Sequence, residues 1–244
     1  MFATKKDKSK SKEKDKVTEE PKEAEEQKSD DSPDDTQAAA EDLAFLLNLG
    51  SPAGEPAPKL RATGIYGDIN EERCSEVLYS MLLLEKSGKQ LEPANPEDPK
   101  SELIEVCEPF DFYISTYGGS ALDMFGLYDV MRKIKQTMPI RTIGIGKVMS
   151  AGTLLLAAGT KGERRIGKYC RVMIHGVISG QHGHLADIEN EFDEAKMTQK
   201  MYIKALAEET NMTEKYIRNL IKKKSNVYIS AEEAVDLGLA DIII

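Results

Sequence analysis

Two side chains stand where a hydrolase could use them. Ser150 lies in Gly146-Lys147-Val148-Met149-Ser150-Ala151-Gly152, at the end of a strand-like run and just before an apolar helical run, 151–158. A serine hydroxyl at a helix start has two uses. It caps the helix by accepting a backbone N–H, or it is a nucleophile beside unpaired N–H groups that stabilise an oxyanion. His175 ends the apolar run Val172-Met173-Ile174 and precedes Gly176. At a strand end its imidazole can act as a general base toward Ser150, or serve as a structural histidine.

Glycines supply the next clue. Gly118-Gly119-Ser120 follows a strand-like run, and paired glycines there let the backbone turn sharply and present N–H groups to a phosphate or an oxyanion. A phosphate loop also needs a nearby lysine and a fuller glycine spacing, which this stretch lacks. His182 and His184 sit in the glycine-rich segment 180–184, yet no carboxylate or cysteine completes a metal set, so no metal is expected. Cys74, Cys107 and Cys170 have neither zinc-ligand nor disulfide-framework spacing and are expected as packing residues in a reducing compartment.

The elements that must position these groups alternate. A strand at 65–69 leads to a helix at 71–85, and the three prolines of 88–99 predict a loop. A strand at 110–115, a helix at 121–134, a strand at 140–145, a buried helix at 151–158 and a strand at 172–174 follow. Strand and helix in alternation build parallel βαβ units, in which reactive groups gather beyond the carboxyl ends of the strands. Gly118, Gly119, Ser150 and His175 all fall at such ends. The remainder is helical: a long amphipathic helix at 185–209, a second at 213–223, and a third at 230–237 whose Ser-Ala-Glu-Glu start is a capping-box pattern.

Of the 244 residues, 1–58 form a Lys-, Glu-, Asp-, Ser- and Pro-rich tail that is expected to be disordered, because it has too little apolar surface to offset the entropy of ordering. Residues 59–244 form one domain. A net charge of −9 leaves no broad basic surface for nucleic acid. No run reaches the length needed to cross a bilayer and no signal-peptide core is present, so a cytoplasmic protein is expected.

The order of these pieces resembles the ClpP family of caseinolytic serine peptidases. The resemblance runs through Phe112-Tyr113-Ile114-Ser115-Thr116-Tyr117-Gly118-Gly119-Ser120, Ser150-Ala151-Gly152, Leu154 through Gly162, Arg171-Val172-Met173-Ile174-His175, and Ser230-Ala231-Glu232-Glu233-Ala234 with Gly238-Leu239-Ala240-Asp241. It implies a ClpP/crotonase-like α/β fold of repeated βαβ units with a protruding helix. It also implies Ser150 as nucleophile, His175 as general base, and the backbone N–H groups of Gly119 and Ala151 as the oxyanion hole. Gly118, Gly180 and Gly183 would offer their backbone to an extended polypeptide substrate. The third triad position, four residues before Ser230, holds Asn226 where the family has aspartate. Asparagine can orient an imidazole but lacks the charge that stabilises imidazolium.

The family further implies stacked heptameric rings, with the 185–209 helix as the ring-to-ring contact, and a partner AAA+ unfoldase that would use ATP. This chain has no nucleotide motif and needs no cofactor of its own. Asn226 keeps open a weakly active or non-catalytic subunit in a mixed ring. The altered N-terminus is compatible with a specialised maturation peptidase, and a crotonase-like acyl-thioester enzyme is disfavoured by Ser150 and His175 at peptidase spacing.

Overall fold

The computed structural model describes residues 60–98, 100–180, 182–222 and 225–244. The expected tail, residues 1–58, lies outside them, as do Gln181, Lys223 and Lys224.

The chain enters the sheet on β1 (Ala62–Ile69) and turns into helix α1 (Glu71–Ser87). Asn70 caps α1 by accepting the Arg73 N–H at 3.0 Å. Phe110–Gly119 (β4) and Ile140–Met149 (β5) are the long central strands, separated by α2 (Ala121–Ile134). Phe110, Phe112 and Ile114 alternate inward from β4, and Met124, Leu127, Met131 and Ile134 form the inward stripe of α2, all essentially without solvent contact. Helix α3 (Ala151–Ala157) is buried at every residue, which explains its uninterrupted apolar sequence.

The sheet has seven strands in the order β1-β4-β5-β6-β9, where β6 is Arg165–Ile166 and β9 is Ile242–Ile243. β7 (Arg171–Ile174) pairs with the far end of β5, and β8 (Val227–Ile229) pairs with β7. Every pairing in this sheet is parallel except β7 with β8. The α/β reading therefore holds, with one antiparallel addition at the edge.

Residues 88–99 depart from the expected loop. Lys89–Pro93 (β2) and Leu103–Cys107 (β3) form a separate antiparallel ribbon with Pro93 opposite Leu103. Pro93 closes the strand, where a missing N–H costs little, and Pro96 falls in the connecting turn.

The long helix α4 (Leu185–Glu209) matches its expected bounds. No residue before Thr198 in it is buried, whereas Thr198, Tyr202, Ile203, Ala205, Leu206 and Glu209 are. Its second half therefore packs on the domain and its first half protrudes. Helices α5 (Glu214–Lys222) and α6 (Ala231–Asp236) complete the chain. Ser230 and Glu233 form the reciprocal capping box at the start of α6.

One buried ion pair ties the C-terminus to this framework. Arg164, 4% exposed, donates from Nε and Nη2 to the two carboxylate oxygens of Asp241 at 2.8 and 2.6 Å. Its Nη1 donates to the carbonyls of Ala157, Glu209 and Gly238, at the ends of α3, α4 and α6. Asp241 also accepts the Gly162 and Arg164 N–H groups. Burial pushes the Asp241 pKa up, and the Arg164 hydrogen bonds and charge more than offset this, so it ends below its ordinary 3.8.

Candidate active site

Ser150 is the only non-glycine residue with positive φ among those described, at φ 55 and ψ −123. That conformation is costly for a residue with a Cβ, and the surroundings hold it from both sides. Its N–H donates to the Met173 carbonyl of β7 at 2.8 Å, and its carbonyl accepts the Thr153 N–H at 3.0 Å. Its hydroxyl makes no capping hydrogen bond. Of the two uses for a serine at a helix start, capping is thus unfilled, and Oγ is left to the cleft it faces.

The glycines explain how the turn fits. A Cβ on Gly118 would lie 2.5 Å from Ser150 Cβ and 3.0 Å from Oγ, and φ at Gly118 is +105. A Cβ on Gly119 would collide with the Ile69 carbonyl, and one on Gly152 with the Thr116 side chain. Gly118 also donates its N–H to Thr116 Oγ1 at 2.9 Å, which fixes the end of β4 against the serine. Ala151 opens α3, so its N–H has no intrahelical acceptor.

Ser150, Ala151, Gly119 and His175 line one cleft of about 420 Å³, with apolar walls from Met124, Val177, Ile178 and the rings of Tyr117 and Tyr202. His175 and Asn226 line a second cleft of about 440 Å³ behind it. His175 thus lines both clefts, one shared with Ser150 and the other with Asn226.

Register explains this placement. Met149 pairs with Met173 in the parallel β5–β7 ladder, so the serine leaves β5 beside the strand that ends at His175. In the antiparallel β7–β8 ladder the last pair is Ile174 with Val227, so His175 leaves β7 where Asn226 enters β8. Among the described residues no hydrogen bond joins Ser150 to His175 or His175 to Asn226. Catalytic hydrogen bonds are often long in unliganded sites and tighten around substrate.

The segment after His175 is held from two helices. Gln199 Oε1 of α4 accepts the Val177 N–H at 3.2 Å, and Ile221 of α5 closes on Gly176. Gly180 and Gly183 lie further along, exposed, and neither lines the cleft; Gly176, Val177 and Ile178 do. His182 and His184 are exposed as well.

A model of the Clp protease family matches residues 102–244. The chain belongs to the Clp protease family. It is 33% identical over 175 residues to "ATP-dependent Clp protease proteolytic subunit 1" of Prochlorococcus marinus (strain MIT 9312), covering 68% of this chain and 88% of that protein. It is 30% identical over 176 residues to "ATP-dependent Clp protease proteolytic subunit 2" of Synechococcus sp. (strain CC9605), covering 72% and 79%. A second Prochlorococcus marinus subunit 1, from strain MED4, is 33% identical over 148 residues, with 61% and 70% covered. Membership makes this chain a ClpP-type serine peptidase, as the sequence motifs implied.

Two residues of this Clp protease site escaped the sequence reading. Tyr202, 6% exposed, reaches from α4 to within 2.5 Å of Thr153 Oγ1, which in turn donates to the Ser150 carbonyl at 2.7 Å. Burial pushes the Tyr202 hydroxyl pKa up to about 12, so it remains a proton donor at neutral pH. The buried face of α4 is legible as Thr198, Tyr202, Ala205 and Glu209 at helical spacing, but nothing in that pattern shows what the hydroxyl meets.

Proposed function

We propose that this chain hydrolyses peptide bonds with Ser150 as nucleophile, His175 as general base and Asn226 as the group that orients the imidazole. The observation that carries this reading is the Ser150 hydroxyl, uncapped at a left-handed turn and sharing a cleft with His175. His175 takes the hydroxyl proton as Oγ attacks the scissile carbonyl, and the tetrahedral oxyanion accepts hydrogen bonds from the Gly119 and Ala151 N–H groups. The proton then passes to the leaving amine, and water attacks the acyl-serine with His175 again as base. Asn226 accepts the imidazole N–H through its side-chain oxygen and so selects the tautomer whose other nitrogen faces Ser150.

An extended polypeptide lies along 176–178 by backbone pairing, which accepts many sequences, and Gly180 and Gly183 continue that edge. Leu185, Phe192 and Met197, exposed on the protruding part of α4, support ring-to-ring contact there, within stacked heptamers. The "ATP-dependent" relatives support an AAA+ unfoldase partner that consumes the ATP, in the cytoplasm. No described helix is long and apolar enough to cross a membrane.

A fluorophosphonate probe tests the catalytic assignment: wild type labels and Ser150→Ala does not. Wild-type protein that is folded and unlabelled refutes it. Asn226 favours a second reading, a non-catalytic subunit within a mixed ring. A large gain in peptidase rate for Asn226→Asp identifies an impaired enzyme, and inactivity of both forms identifies the structural subunit.

A further inference from the structure

The N3 amide of a helix ordinarily goes to the side-chain oxygen of a capping serine. Here Thr153 occupies that position, and both its N–H and its hydroxyl turn to the Ser150 carbonyl, at 3.0 and 2.7 Å. The Thr153 hydroxyl is fully buried and is itself met by Tyr202 Oη, whose hydroxyl also lies 3.4 Å from the Ser150 carbonyl. Two donors of Thr153 therefore converge on one carbonyl, with the Tyr202 hydroxyl behind them, and the competing acceptor, Ser150 Oγ, receives none.

We propose that Thr153 and Tyr202 are positioning residues for the nucleophile: their hydroxyls, in series, hold the Ser150 carbonyl in the left-handed turn and thereby keep Oγ out of the helix cap. Tyr202 O–H donates to Thr153 Oγ1, and Thr153 O–H donates to the carbonyl. Without the Thr153 hydroxyl the turn relaxes toward ordinary capping geometry, in which Ser150 Oγ accepts the Thr153 N–H and is lost as a nucleophile. The Tyr202 ring also walls the cleft, but the hydroxyls act through the Ser150 carbonyl, so removing a hydroxyl while keeping the ring changes the reacting serine and leaves the walls in place. This rests on the assignment of Ser150 as nucleophile.

The test measures fluorophosphonate labelling and the kcat and KM of a fluorogenic peptide for Thr153→Val, Thr153→Ser, Tyr202→Phe and the Thr153→Val/Tyr202→Phe double variant. Displacements of this kind cost up to about a hundredfold in rate, so Thr153→Val should lower kcat and labelling by roughly 10- to 100-fold with KM within about twofold. Thr153→Ser, which restores the hydroxyl, should recover most of that loss. Tyr202→Phe should fall between, and the double variant should be no slower than Thr153→Val alone, because the two hydroxyls act in series. Wild-type labelling in Thr153→Val, or Thr153→Ser as slow as Thr153→Val, overturns the inference. If Thr153→Val does not fold, Tyr202→Phe decides, since it keeps the ring: undiminished kcat there overturns it. Ser150→Ala that still cleaves peptide overturns the catalytic assignment itself, whereas inactive Ser150→Ala beside fully active Thr153→Val overturns only the hydroxyl pair.

Discussion

Replacing Gly118 by alanine probes the site through a single methyl group. The new Cβ would stand 2.5 Å from Ser150 Cβ and 3.1 Å from the Met149 carbonyl oxygen. Carbon atoms in contact prefer about 3.5–4.0 Å, so the serine must retreat by about 1 Å. Misplacement on that scale costs about 10²-fold, or about 3 kcal/mol of transition-state stabilisation. Holding φ at +105 with a side chain adds a folding cost of about 1–3 kcal/mol, visible as a drop of several degrees in melting temperature. The assay is kcat/KM on a fluorogenic peptide with the fluorophosphonate labelling rate, beside a thermal melt to show that the variant folds. Gly126→Ala is the control: a Cβ at this exposed position in α2 meets nothing within 4 Å, so stability should rise by up to about 1 kcal/mol and labelling should not change. A folded Gly118→Ala that labels at the wild-type rate would refute the claim that β4 sets the position of the nucleophile.

Other perturbations test the framework. Arg164→Ala should destabilise by about 3–5 kcal/mol in urea titration, because it strands the Asp241 carboxylate and three carbonyls that the guanidinium now satisfies. Asp241 has a lowered pKa in the folded state, so its contribution is present above about 3.8 and is lost as pH falls through the lower folded value. The stability deficit of Asp241→Asn relative to wild type, measured at several pH values, should therefore be largest near neutrality and shrink in acid below about 3.8. Burial, with a smaller contribution from Asp123 at Cys74, pushes the thiols of Cys74 and Cys170 up to about 11, whereas Cys107 is half-buried. Mass spectrometry after brief alkylation at pH 8 should find one adduct, on Cys107, in the folded chain and three after denaturation.

Strong periodicity made α2 and α4 readable to the residue, because each has an apolar face repeated over several turns. The β2–β3 ribbon was not readable, since the three prolines of 88–99 in the sequence outweighed two short strands whose pairing is settled only across the turn between them. β6, β8 and β9 are two or three residues long and exist because neighbours supply their partners. The candidate site divides along the same line. Residue types and order marked Ser150 and His175, and a four-residue offset from Ser230 marked Asn226. The left-handed backbone of Ser150, which separates a nucleophile from a cap, depends on Met173 and Thr153 holding it, and Tyr202 enters from a helix some fifty residues away. Such contacts are properties of the assembled fold.

The four residues of β7 have a mechanical consequence. This strand receives the Ser150 amide on one side, pairs with β8 before Asn226 on the other, and ends in His175. The Ser150 amide and His175 therefore share one short beam, and β8, which begins just after Asn226, is paired to it. A substitution that twists β7 would shift the Ser150 amide and His175 together and loosen the β8 pairing beside Asn226, so the alignment of these groups should fail as one.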